Sequence, residues 1–236
     1  MKKDEGLYYK IARPDGWDFF TGKTINYREA LGGTVAAPLV GEKRPELCAP
    51  GVLHASRRAE DCFQGGSIPC SLYRVQGTPV VQDDTKAGFR AMDVIKELDP
   101  AAFFKWRYAE AANPVNPFTL SPPEITPDIV ATLQQWASVW DGVGASVRDG
   151  VGASVGASVR ASVWASVWAS VGGSVWDSVR AYIGYIFAPV VKGWEHNYPY
   201  QPAVDLWKQG LVPSYDGGVW RLHGGPTAEI LWEGKP

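Results

Sequence analysis

The sequence predicts an α+β N-terminal head domain, then a short β-solenoid wound from a four-residue repeat, then a small α/β C-terminal cap. Three observations predict it. Short apolar and aromatic runs separated by turn residues fill positions 1–112. A proline-rich connector follows over 113–130, with Pro114, Pro117, Pro122, Pro123 and Pro127 barring regular structure. From Trp136 the chain falls into tetrads in which Val holds every fourth site from Val139 to Val179, with Ile183 next. The repeat domain is assigned to 131–187 and the cap to 188–236.

In the head, LYYKIA (Leu7–Ala12), the turn-forming RPDGW and DFFTG read as strand, turn and strand, a hairpin. GVLHAS (Gly51–Ser56) and CSLYRVQG (Cys70–Gly77) are further short strands. AGFRAMDVIKEL (Ala87–Leu98) fits either strand or helix. DPAAFFKWRYAEAA (Asp99–Ala112) reads as a helix with Asp99 as N-cap and Pro100 at its first position. DIVATLQQ (Asp128–Gln135) is a short helical entry to the repeat. In the cap, AVDLWKQG reads as a short helix, and SYDGGVW as a hairpin turning on Asp-Gly.

The tetrad itself carries the solenoid prediction. Its first site is Trp, Gly or Arg, its second mostly Ala with Asp141, Asp149 and Asp177 as variants, and its third mostly Ser. Such alternatives differ by single bases, as expected of a short DNA unit duplicated in tandem. The constancy of Val beside drifting neighbours argues for structural selection over genetic stutter. On an α-helix a step of four residues overshoots the turn by about 40°. Twelve such steps would carry Val right round a single helix. In an extended chain residues four apart share a face, so Val and Ala point inward and the Trp/Gly/Arg site outward. One strand of this length is far too long for a domain, so the chain is expected to coil. An unusual helical hairpin is the alternative.

ASVW and ASVR resemble the unit of pentapeptide-repeat proteins with one residue removed. That resemblance implies a four-sided β-helix with small and large apolar residues inside. The layout of the whole chain, with SVWASVW-type repeats before LWKQGLVPSYDGGVWRLHGG, is similar to that of uncharacterised phage and prophage proteins. This resemblance implies no particular activity.

Composition narrows the function classes. The 236 residues are 45% hydrophobic and 20% charged, with a net charge of −2 and no clustered basic run. Nucleic-acid binding is therefore not expected. No apolar stretch of about 18 residues is present, so no membrane span is expected, and MKKDEGLYYK lacks the apolar core of a secretory signal. An odd set of cysteines, Cys48, Cys62 and Cys70, reads as reduced thiols. With His54 they could ligate zinc, but the gaps lack the close Cys pair of structural zinc sites, and buried thiols are favoured.

The sharpest local motif is Gly51-x-x-His54-x-Ser56, followed by Arg57 and Arg58. It resembles the nicotinamide-dinucleotide-binding strand of ADP-ribosyltransferases. The resemblance implies that His54 and Ser56 hold a ribose and that Arg57 or Arg58 meets phosphate. Tyr73 and Glu97 are the nearest counterparts of the family's later aromatic and catalytic glutamate. The plainer reading is an edge-strand histidine with a basic rim. His196 and His223, with Asp205 or Glu195 as partners, lack a nucleophile with a telling signature, and structural roles are favoured. In the repeat, Trp136, Trp140, Trp164, Trp168 and Trp176 with Arg160 and Arg180 form a candidate interaction surface. So many exposed indoles call for a cover, most simply a second copy of the chain.

These readings converge on a non-enzymatic, phage-related assembly or binding protein that needs no cofactor. The repeat serves as rigid spine or oligomerisation element, a homo-oligomer is expected, and the host cytoplasm or the virion is the expected location. The rival readings place function in the N-terminal domain, as an ADP-ribosyltransferase-like enzyme or as a sponge for a nucleotide-like small molecule.

Overall fold

A computed structural model of the chain describes residues 6–38, 45–150 and 175–235, the side chains of 148–150 apart. The fold is mixed α/β, with three small antiparallel sheets and several helices. Its contacts divide it into two compact units, Met1–Phe104 and Lys105–Pro236.

In the first unit, β1 (Leu7–Ala12), β2 (Thr34–Ala36), β4 (Ser71–Gln76) and β7 (Ala91–Leu98) form one antiparallel sheet in the order β1-β4-β7-β2. The stretch Ala87–Leu98 is two strands broken at Arg90, and the second, β7, alternates between exposed Ala91, Asp93 and Ile95 and buried Met92 and Val94. That two-residue period is what one-sided burial demands. Met92 and Val94 join Tyr8, Tyr73, Val75 and Phe89 in the core. A second sheet has the order β3-β6-β5, from β3 (Leu53–Ala55), β5 (Val81–Gln82) and β6 (Ala87–Phe89). Tyr9 and Ser56 exchange backbone hydrogen bonds at 2.7 and 2.9 Å, tying the end of the β3 segment to β1.

The expected hairpin is absent. The partner of β1 is β4, sixty residues on, with Lys10 opposite Tyr73. DFFTG forms a loop instead, because the Asp18 carboxylate accepts the backbone N–H groups of Phe20 and Thr21, both at 3.0 Å. Such local capture of the backbone competes with strand pairing. The helix expected over Asp99–Ala112 is two pieces. Asp99 caps α1 (Pro100–Phe103) by accepting from the Ala101 N–H at 2.9 Å. The chain then turns extended at Phe104, which is buried, and helix resumes in the second unit as α2 (Tyr108–Ala112).

The second unit holds α2, α3 (Pro127–Ala137), α4 (Val143–Gly150), α5 (Trp176–Phe187) and α6 (Gln201–Lys208). Thr126 caps α3 and Pro127 occupies its first position, where no N–H is needed. A three-stranded sheet follows in the order β10-β9-β8, from β8 (Leu211–Asp216), β9 (Val219–Gly224) and β10 (Glu229–Gly234). The β8–β9 turn uses Gly217 and Gly218 at φ of 60° and 84°, the left-handed pair that a tight hairpin requires.

The β-solenoid is overturned. Among the described residues the repeat is helical, from Trp136 at the end of α3 through a 3-10 turn at Trp140–Gly142 and α4, and again in α5. No solenoid is found there. Repeat residues 151–174 lie outside the described residues. The physical reason is helix length. The drift of about 40° per tetrad excludes one long helix, but over two or three tetrads the valines stay within one broad stripe. Val143 and Val147 share a buried face of α4, and Val179 and Ile183 do the same along α5, with buried Val175 as its N-cap. The variant Asp177 is no misfit on such a helix: it lies at the flank and pairs with Arg180 at 2.9 Å, one turn on.

Candidate functional site

A cleft of about 360 Å³ lies within the first unit. Several separate pieces of chain build it, Pro38 and Lys86 among them. The strand β1 contributes Lys10 and Ile11, and the loop after it contributes Asp18, Phe19 and Phe20. The β3 segment supplies Leu53, His54 and Ser56, and Cys62 comes from the 3-10 turn Ala59–Gln64. Gly66 closes the floor. A Cβ there would run into the Ile11 side chain and press on Phe19, so only glycine lets the chain pass this close.

At the floor Lys10 Nζ donates to Asp18 Oδ1 at 2.8 Å, with side chains only 13% and 10% exposed. Burial disfavours the lysine's charge, but the Tyr27 phenol and the Asp18 carboxylate beside it outweigh burial and hold its pKa above the ordinary lysine value. The ammonium also sits 5.2 Å from the centre of the Tyr27 ring. Burial pushes the Tyr27 phenol up to about 12, so it stays protonated. Asp18 keeps its charge: burial raises its pKa, but Lys10 and the Phe20 and Thr21 amides bring it below the usual carboxylate value. This is a buried ion pair with every carboxylate oxygen occupied, the arrangement that makes such a pair tolerable.

His54 lies on the cleft wall. Its Nε2 accepts the Cys48 backbone N–H at 2.9 Å, which leaves the proton on Nδ1. Burial, together with the positive charges of Lys10 and Lys86, depresses its pKa to about 4. The ring is neutral at physiological pH and serves as a donor through Nδ1. Cys48 itself sits at φ of 64°, in the left-handed region that a non-glycine residue occupies only when its surroundings hold it there. Its thiol is exposed and 3.9 Å from Lys86 Nζ. Burial pushes the Cys62 thiol up to about 11, and its Sγ donates to the Tyr9 carbonyl at 3.1 Å. It is a structural group, unreactive by both measures. Phe20 stands at the rim with its side chain 90% exposed.

Of the residues singled out in the sequence, His54 and Ser56 line this cleft. Ser56 is 1% exposed and its hydroxyl is turned to the Cys62 thiol. Arg57 and Arg58 do not line the cleft: Arg57 stacks on the Tyr8 ring at 5.2 Å, and Arg58 lies exposed beside Asp61. Tyr73 is buried in the sheet, and its hydroxyl reaches Glu97 at 3.4 Å. Glu97 in turn is held by Arg28 at 2.8 Å, which keeps its carboxyl ionised and its pKa low. Neither Tyr73 nor Glu97 borders the cleft, so the constellation implied by the ADP-ribosyltransferase resemblance is not assembled around His54. Cys48, His54 and Cys62 meet at the cleft, but among the described residues no three His, Cys, Asp or Glu side chains gather into a metal site.

In the second unit, Trp136 is 1% exposed and belongs to the core. Trp140 packs against Tyr215 at 5.1 Å and Trp220 at 5.8 Å, and Trp176 lies 5.5 Å under the Arg180 guanidinium. Trp164, Trp168 and Arg160 lie outside the described residues. His196 is exposed, and Asp205 is engaged by Gln201 at 2.7 Å. His223 does have a hydroxyl partner, Ser214, at 2.8 Å, and its other ring nitrogen faces the Ala228 carbonyl at 3.2 Å. The pair resembles a nucleophile and its base, but both residues are buried and the adjoining cavity measures only about 20 Å³. With no room for a substrate, the pair serves as a polar tie between β8 and β9.

Sequence reasoning missed Lys10, Asp18, Phe20 and Lys86. Lys10 had a signal: a lone cation inside the apolar run LYYKIA has to be paired if that run is buried. Lys86 had none, because its place follows from how β3 and β6 pair. Comparison of the chain with family models, with curated proteins and with solved structures gave no match.

Proposed function

We propose that this chain is a non-enzymatic binding protein whose N-terminal unit captures a small molecule. The observation that carries the reading is the cleft itself: about 360 Å³, walled mainly by apolar side chains, with a few convergent polar groups at its floor. That combination is the usual form of a small-molecule site. Capture is favoured over turnover by the state of the cleft's polar groups. Asp18 is tied to Lys10 and two backbone amides, and the Cys62 thiol is held protonated. His54 Nε2 is engaged by the Cys48 amide, and Glu97 stands elsewhere in an ion pair. Among the described residues no carboxylate or histidine nitrogen in this cleft is placed as a base on a nucleophile: the exposed Cys48 thiol faces the Lys86 ammonium, 3.9 Å away. The described helical ends of the repeat give no support to a β-spine, and the reading does not depend on one.

Equilibrium dialysis of the full chain against the small molecules of a cell extract, with mass spectrometry of both chambers, tests this. A compound concentrated unchanged on the protein side is expected. Phe20→Ala, at a side chain too exposed to matter for folding, should weaken that enrichment about tenfold through lost stacking. No enrichment, enrichment untouched by Phe20→Ala, or release of nicotinamide from added nicotinamide dinucleotide would each contradict the proposal.

A further inference from the structure

Resting on the capture reading above, we infer that the cleft of the first unit selects an organic anion with a single flat ring system, its carboxylate or phosphate lying between Lys10 and Lys86 and its ring against Phe20. Charge is the first argument. Lys10 is matched by Asp18, whose Oδ1 takes the ammonium and whose Oδ2 takes the Phe20 and Thr21 amides. Lys86 lines the same cleft and forms no ion pair with a described residue; its ammonium rests against the Cys48 thiol. Among the described lining residues the cleft therefore carries two cations and one carboxylate, with Asp83 outside the lining but near Lys86.

Hydrogen-bonding capacity points the same way. Lys10 has three N–H donors and Asp18 takes one of them. Lys86 adds its own, and His54 offers Nδ1–H because its Nε2 is taken by the Cys48 amide. On the acceptor side, the Asp18 oxygens are occupied and the Ser56 hydroxyl faces Cys62. Among the charged side chains and the histidine of the cleft, donors therefore outnumber free acceptors, which suits an anionic ligand. Lys10, His54 and Lys86 all line this cleft, and His54 and Lys86 both contact Cys48, at 2.9 and 3.9 Å.

Size sets the rest. A volume of about 360 Å³ lies near the small end of ligand pockets, which run from about 300 to 1,000 Å³. One ring system with one acidic group fits, whereas a dinucleotide does not. Phe20, fully out in solvent at the mouth, supplies a face on which a flat ring can stack.

Calorimetric titration of the full chain with two matched pairs tests the inference: adenosine monophosphate against adenosine, and indole-3-acetate against indole-3-acetamide. In at least one pair the anion should bind about tenfold or more tighter than its neutral partner, as a charge-assisted contact predicts. The pair that shows it distinguishes phosphate from carboxylate. Lys86→Gln, at a half-buried side chain with no ion pair to a described residue, should remove that advantage and leave the neutral partner unchanged. A bound anion should also raise the pKa of His54, read by its ring NMR signals, because it offsets the two ammonium charges. Neutral partners binding as tightly as their anions, or an anion preference that survives Lys86→Gln, would overturn the inference and leave capture standing. So would four silent probes beside a compound enriched in dialysis; silence in both experiments overturns both.

Discussion

His54 is held neutral by its surroundings, and that has a consequence for stability. Its pKa in the folded chain is about 4, against an ordinary value of 6.5, because burial and the ammonium groups of Lys10 and Lys86 oppose its charge. As pH falls the unfolded chain takes up this proton first. The contribution of His54 is therefore complete above about pH 6.5 and is lost progressively as pH drops toward 4. Urea denaturation across that interval should show wild-type stability falling more steeply than that of His54→Gln, which cannot titrate. Parallel curves would mean that the ring is not held as described. At this scale the sequence was partly legible. A histidine two residues from a serine in GVLHAS drew attention to the right wall of the cleft. It gave no hint that Nε2 would be occupied by the amide of Cys48, six residues earlier, since that depends on a left-handed backbone at a cysteine.

Secondary structure followed the sequence where one period dominated and failed where two competed. The strands β3 and β4 and the cap at Asp99 rest on short-range chemistry and are legible in the residues, whereas the β8–β9 hairpin turns on Gly217–Gly218, one residue past the expected Asp-Gly, and α3 starts at Pro127, inside the expected connector. The tetrad is different, because a four-residue spacing satisfies an extended chain without limit and a helix only for a few turns. Among the described residues the stripe restarts at the 3-10 turn Trp140–Gly142, before it drifts away. The residue that does report the helical packing is Gly184 in α5. A Cβ on it would collide with the Tyr198 hydroxyl and with Val147 of α4, while Tyr198 Oη donates to the Ala181 carbonyl at 2.6 Å. Gly184→Ala should therefore lower stability by about 1–3 kcal/mol, although alanine is the better helix former. A thermal melt in which the variant matches or exceeds the wild type would argue against this packing of α5.

At the scale of the whole chain, the division into Met1–Phe104 and Lys105–Pro236 assigns the cleft, its ion pair and its core to the first unit alone. None of the described residues forms a helix long and apolar enough to cross a membrane. The cleft as a whole was hard to read in the sequence, because its walls come from residues 10–25, 48–66 and 86, which only the pairing of β1 with β4 and β3 with β6 brings together. The most direct measurement is an amide NMR titration of the full chain, followed residue by residue, with the compound that dialysis finds enriched on the protein side. Capture in this cleft predicts saturable shifts centred on Phe20, His54, Gly65, Gly66 and Lys86, with the second unit unmoved. Shifts centred on residues 105–236, with the cleft amides silent at saturation, would contradict it.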